Sequence, residues 1–179
     1  MLFYFNLQIL LLLLLFPFRI FCSTVTTYEP QQVIFEDTTS RFVTNSGSAV
    51  ESIVTFSGLT NPLSANAIVT LQIWFTHTWN SDMTIRLYAP DGTYVSITNR
   101  DGGSYDNVFD GTLFADSAPN SVNGYPYSGN GVVTPLKPRD PFTNLRGKNP
   151  NGQWKIWFFD NAGGDDGNVN HVLLTIKGN

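Results

Sequence analysis

The chain has 179 residues, enough for one ordinary domain with its own core and a short leader. Charged residues make up only 13% and hydrophobic ones 42%, with 15 Gly, 10 Pro and 14% aromatics, a balance that speaks against a helical protein with a Lys/Glu surface and for an all-β fold. The formal charge is −4, all but three of the 14 acids are aspartate, and no basic cluster occurs, which excludes a nucleic-acid footprint.

The chain opens on an apolar stretch, Met1 to Phe18, with an unbroken run from Ile9 to Phe16. Arg19 and the small residues Cys22, Ser23 and Thr24 follow. Residues 1–23 read as a secretory signal peptide cleaved near Cys22 to Thr24, which predicts a secreted protein. The rival reading is an uncleaved anchor helix, and only then would the chain meet a membrane. The run falls short of the roughly 20 apolar residues a bilayer span needs. Cys22 is the sole cysteine, so an intrachain disulfide or a Cys-based zinc site is excluded. No Asn-x-Ser/Thr acceptor is present, so N-glycosylation is not expected.

Residues 24–48 are polar and weakly patterned, an arm or a first edge strand. From Val50 the chain alternates with period two. Val50, Val54 and Phe56 share a face, then Val69, Leu71, Ile73 and Phe75, then Met83, Ile85, Leu87 and Ala89. Pro90-Asp91-Gly92 is a hairpin turn, and Tyr94 to Thr98 returns from it. Asn99 to Asn107 is an Asp/Gly loop, a short strand falls between Phe109 and Ala118, and Pro119 to Pro141 is loop-like. Trp154–Phe159 and Val169–Lys177 are the last strands. Short strands separated by turns, without an amphipathic helix or a repeat, predict an antiparallel β-sandwich of jelly-roll type over residues 49–179.

Several segments then resemble, in order, the motifs of one family. Thr76-His77-Thr78-Trp79-Asn80-Ser81-Asp82-Met83 is similar to an HT…DL signature, and Tyr88-Ala89-Pro90-Asp91-Gly92-Thr93 to an SPxGT hairpin. Asp101-Gly102-Gly103 with Asp106-Asn107 resembles a GG…DN loop, and Thr112-Leu113-Phe114-Ala115-Asp116 a TxFxD segment. Leu145-Arg146-Gly147 with Asn151-Gly152-Gln153-Trp154, then Asp160 with Gly164-Asp165-Asp166-Gly167, complete the series. Each is weak alone, but the ordered set resembles the P/Homo B domain of proprotein convertases. That resemblance implies a galactose-binding-like β-sandwich that follows a subtilisin-like catalytic domain, stabilises it and often binds calcium. Residues 24–48 are too few for a subtilisin fold, so a stand-alone, non-catalytic module is expected. Serine endopeptidase activity and proteolysis then attach to it by family association alone.

The residues agree with that absence of catalysis. His77 continues the face of Phe75 and is expected at the sandwich rim, bonded to backbone. His171 is expected half-exposed on its strand. Two separated histidines do not make a zinc site, and no nucleophile elbow or nucleophile–base pair accompanies them. The aspartates are more informative. Asp160 shares parity with Trp154, Ile156 and Phe158, which lands a carboxylate at the rim, where it must be paired or metal-bound. Asp165 and Asp166 follow in a Gly-rich loop, and Asp82 follows a polar loop. Hard oxygen donors on flexible loops suit Ca²⁺. One expected calcium site therefore comprises Asp82, Asp160, Asp165 and Asp166. A second comprises Asp101, Asp106, Asn107 and Asp116. For both sets the competing reading is that Asp-Gly and Asn-Gly pairs simply make turns, and for Asp91 the turn reading is preferred.

The expected partner is a separate subtilisin-like protease or another extracellular protein. The alternative function is a carbohydrate-binding jelly roll that displays aromatics. Trp154 is expected in the core, Trp74 and Trp157 opposite the apolar faces, and Trp79 packed near the rim. A glycan platform would draw on Trp74 and Trp157.

Overall fold

The computed structural model describes residues 31–45 and 47–178. The leader reading, with Cys22, lies outside these residues. The strands are β1 (Gln32–Asp37), β2 (Arg41–Val43), β3 (Val50–Phe56), β4 (Ile68–His77), β5 (Met83–Tyr88) and β6 (Tyr94–Asn99). They continue with β7 (Thr112–Ala115), β8 (Asn120–Ser121), β9 (Leu136–Lys137), β10 (Gly152–Asp160) and β11 (Gly167–Lys177). The helical segments among the described residues are two 3-10 turns, Asn80–Asp82 and Phe142–Leu145.

Two sheets form the sandwich. The larger runs β1–β11–β4–β7–β9–β8, with β2 also on β11, and the smaller runs β3–β10–β5–β6. All pairings are antiparallel except the short ones that β9 makes with β7 and β8. The all-β sandwich expected from the alternation is the fold observed.

The period-two pattern explains the core. On β4, Leu71, Ile73 and Phe75 are 0% exposed, and on β10 so are Trp154, Ile156 and Phe158. Each such side chain withdrawn from water contributes about 2 kcal/mol. Trp154 satisfies its one polar group by donating Nε1–H to the Pro150 carbonyl at 2.8 Å. Trp74 and Trp157 lie on the outer faces and are half-buried, while Trp79 is 43% exposed.

Three details refine the sequence reading. The described part of residues 24–48 holds two strands, β1 and β2, both pairing with β11. The 119–141 segment is no mere surface loop: it contributes β8 and β9 and seats Val122 and Leu136 in the core at 0% exposure. Finally, β11 carries a bulge between Val169 and His171. The extra residue, Asn170, resets the alternation. Val169 can therefore face inward although Val172, Leu174 and Ile176 have the opposite parity.

The Pro90-Asp91-Gly92 turn is present. The Ala89 amide donates to the Thr93 carbonyl at 2.8 Å, and Gly92 adopts φ 82°, a left-handed conformation that favours glycine. The Asp91 carboxylate accepts the Thr93 amide, and that bond holds its pKa below the usual value. Asp91 is a turn residue.

Candidate functional site

The ends of β4, β10 and β11 meet at one rim, and the two most buried ionisable side chains of the rim sit there. His77 ends β4 and is 1% exposed; Asp160 ends β10 and is 2% exposed. Their alternation forces this, because each continues its strand's core-facing series. His77 Nε2 stands 3.7 Å from Asp160 Oδ2, too far for a hydrogen bond, and neither atom has a hydrogen-bond partner. The other ends of both groups are engaged. His77 Nδ1 lies 2.9 Å from the Trp79 carbonyl and 3.1 Å from its amide, while Asp160 Oδ1 accepts the Ala162 amide at 3.0 Å.

The surroundings hold this pair rigidly. Gly167 pairs with His77 across β11 and β4. A Cβ on Gly167 would sit 2.0 Å from the Thr76 carbonyl oxygen and 2.9 Å from His77 Cδ2. Only glycine permits this approach. Asn107 clamps the His77 backbone from the other side. Its Oδ1 accepts the His77 amide and its own amide donates to the His77 carbonyl, both at 3.0 Å. Asn107 does this at φ 59°, a left-handed conformation that Asn tolerates better than most residues. Asn80, 0% exposed, donates its amide side chain to the His77 and Tyr105 carbonyls. Its Oδ1 is a further buried atom without a partner.

The first expected set lies around this rim. Among the described residues no hydrogen bond reaches the Asp82 carboxylate, whereas its backbone carbonyl accepts both the amide and the side chain of Asn161. Burial, then the Asp160 carboxylate, push the Asp82 carboxyl above its ordinary pKa. Asp165 pushes the same way, and His77 and Arg100 oppose. Asp82 therefore stands close enough to Asp160 and Asp165 to feel both carboxylates. Asp165 accepts the Thr78 hydroxyl at 2.8 Å. Asp166 is exposed and engages Thr78 through its carbonyl.

The members of the second set are each engaged separately. Asp101 is forked by Arg139, with Nη2 to Oδ1 at 2.7 Å and Nε to Oδ2 at 3.2 Å, and Oδ2 also accepts the Asn99 amide. Asp106 accepts the Asn130 side chain at 3.2 Å. Asn107 is the backbone clamp just described. Asp116 accepts the Phe142 and Thr143 amides at 2.8 and 3.0 Å, capping that 3-10 turn. Among the described residues no three His, Cys, Asp or Glu side chains form a closed metal-ligating group. The two sets nevertheless differ. The first holds carboxylate oxygens without donors, and in the second every carboxylate already accepts protein donors.

The sequence reading passed over Arg139, Asn80 and Gly167. Arg139 lies in a loop with no local signal. Asn80 and Gly167 sit within the quoted motifs, where they read as turn chemistry.

Residues 67–176 match the family model described as the proprotein convertase P-domain. Over 99 residues the chain is 37% identical to leupeptin-inactivating enzyme 1 of Streptomyces exfoliatus, a match covering 55% of this chain and 22% of that protein. Among solved structures it is similar to the serine protease of Aeromonas sobria. In complex with a chaperone that protease aligns at TM-score 0.42 and 16% identity, over 84% of this chain and 27% of that one. Solved by itself it aligns at the same score and identity, over 86% and 28%. The chain thus spans 22% of the curated relative's length. Since the family model spans the strands from β4 through β11 that build the His77–Asp160 rim, the chain belongs to the proprotein convertase P-domain family.

Proposed function

We propose that this P domain is a secreted, non-catalytic module that binds Ca²⁺ at the His77–Asp160 rim and acts as a stabilising or interaction partner of a subtilisin-like protease. The observation that carries the calcium reading is Asp160 Oδ2, a buried carboxylate oxygen with no hydrogen-bond donor. A buried charge left so is costly unless a cation answers it. Asp82 and Asp165 supply further hard oxygens, and backbone carbonyls of the Asn161–Asp166 loop are additional donors of the kind Ca²⁺ takes. Bound calcium would neutralise carboxylates that repel one another. Because the unfolded chain lacks the site, saturation at 100 times Kd would stabilise the fold by about 2.7 kcal/mol. The protease partner and the secretory route are supported by the family and by the leader-like residues 1–23.

The test is thermal melting of the secreted chain in excess Ca²⁺ and in EDTA, with Asp160→Ala and Asp165→Ala beside the parent. A calcium-dependent rise that both substitutions reduce is expected. A melting curve indifferent to Ca²⁺ would refute the metal reading. N-terminal sequencing of protein recovered from the medium tests secretion, with a start near Cys22 to Thr24 expected.

A further inference from the structure

We propose that the outer face of the smaller sheet docks an acidic glycan, through a guanidinium held among aromatic rings. In an antiparallel sheet with one buried face, the outward positions are normally polar. Here alternation turns Arg86 and Tyr88 of β5, Tyr94 of β6, and Lys155, Trp157 and Phe159 of β10 away from the core. Strand register makes them neighbours: Trp157 opposes Arg86, Lys155 opposes Tyr88, and Tyr88 opposes Tyr94.

The group is organised. The Trp157 and Phe159 rings stack 5.2 Å apart at 5°. Arg86 Cζ lies 4.6 Å from the Tyr94 ring centroid and 5.1 Å from that of Trp157. Arg86 Nη1 donates to the Tyr88 hydroxyl at 3.3 Å, and Lys155 Nζ lies 5.0 Å over the Tyr88 ring. Rings on this scale hold a guanidinium in place while leaving its charge unanswered.

Charge decides what the face takes. Among the described residues Arg86, like Arg100, Lys137, Arg146 and Lys177, has no carboxylate within 4.0 Å, and of these five it is Arg86 that is held over aromatic rings. Its Nε is a buried donor with no partner at all. Although the chain as a whole carries net charge −4, this face offers a fixed cation with no carboxylate partner, and the guanidinium fork matches a carboxylate. Peptide docking fits less well. Peptides are captured at open strand edges or in grooves. The β6 edge is closed by Arg139 and Asp140, whose amides donate to the Ile97 and Ser96 carbonyls. On the β3 side Glu51 is paired with Lys155 at 3.1 Å, which leaves Arg86 as the cation of this face without a carboxylate. An open face of rings around one guanidinium suits a polyuronate, with Tyr94 (45% exposed) and Ile53 (46% exposed) left for sugar C–H contact.

Calorimetric titration of the full chain with tetragalacturonate, in EDTA, tests this apart from the calcium rim. Expected are binding to the parent and to Asp160→Asn alike, loss with the methyl-esterified tetramer, and an affinity about tenfold or more weaker in Arg86→Gln. Tyr94→Ala alters an exposed ring, and it too should weaken binding, independently of any folding defect in the Arg86 variant. Absence of binding, undiminished binding in both variants, or equal binding of a poly-glutamate peptide would each overturn the proposal.

Discussion

His77 and Asp160 face each other across the buried rim with Nε2 and Oδ2 3.7 Å apart and neither atom hydrogen-bonded. Each residue nonetheless has its other polar atom tied to backbone, so the gap is set by the fold and not by loose side chains. Asp160→Asn keeps the acceptor for the Ala162 amide and should fold in EDTA while losing the calcium-dependent rise. Asp160→Ala removes that acceptor as well and should cost about 1–3 kcal/mol in EDTA. Urea unfolding of both variants, with and without Ca²⁺, separates the two roles.

Asp82 gives a prediction of opposite sign. Burial and the Asp160 carboxylate raise its pKa, so above that folded value its ionisation disfavours the native state. Asp82→Asn should therefore raise Tm in EDTA near neutral pH and shrink the increment that Ca²⁺ produces. In the parent without calcium, stability should increase as pH falls through the raised pKa, until the depressed carboxylates protonate.

Asp37 is one of those. Burial pushes its carboxyl up, but the Ser52 hydroxyl, the Thr39 amide and Arg41 outweigh burial and hold it at about 2. Its stabilising contribution is complete above the ordinary value of 3.8 and disappears as pH falls through about 2. Asp37→Ala should lose about 2 kcal/mol at pH 7, with the difference closing in acid. Denaturation curves between those limits measure it.

Gly167→Ala should be severe, since the new methyl meets the Thr76 carbonyl oxygen at 2.0 Å, between two paired strands. A loss of about 3 kcal/mol is expected. Gly163→Ala, whose methyl would meet Asn45 Nδ2 at an ordinary 3.7 Å, should stay within about 0.5 kcal/mol of the parent. Similar melting of the two would mean that β11 can move away from His77.

Arg139→Ala tests the second aspartate set. It strands Asp101, which is 8% exposed, and should cost about 2 kcal/mol whether or not calcium is present. An equal calcium increment in parent and variant is expected. A changed increment would bring Asp101 into a metal site.

Much of the fold was legible because burial on a strand has period two. Val69 to Phe75, Met83 to Leu87 and Trp154 to Phe158 all face the core as their alternation required. Asp160 and His77 could be placed at the rim for the same reason. The β11 bulge was not legible: Val169 through Ile176 read as one uninterrupted strand, and an extra residue leaves no mark in composition. Arg139 was missed because it meets Asp101 from 38 positions away.

By itself the sequence determined which faces are apolar, where the turns fall and which carboxylates stand near a strand end, since these depend on neighbours one to four residues apart. Tertiary structure alone decided which aspartates already have donors. It left Asp160 Oδ2 without one while giving Asp101 a guanidinium and Asp116 two amides. It likewise gathered Arg86 among rings from three strands. Those outcomes depend on strand register and sheet order, which bring together groups far apart in the chain, and no local pattern encodes the pairing.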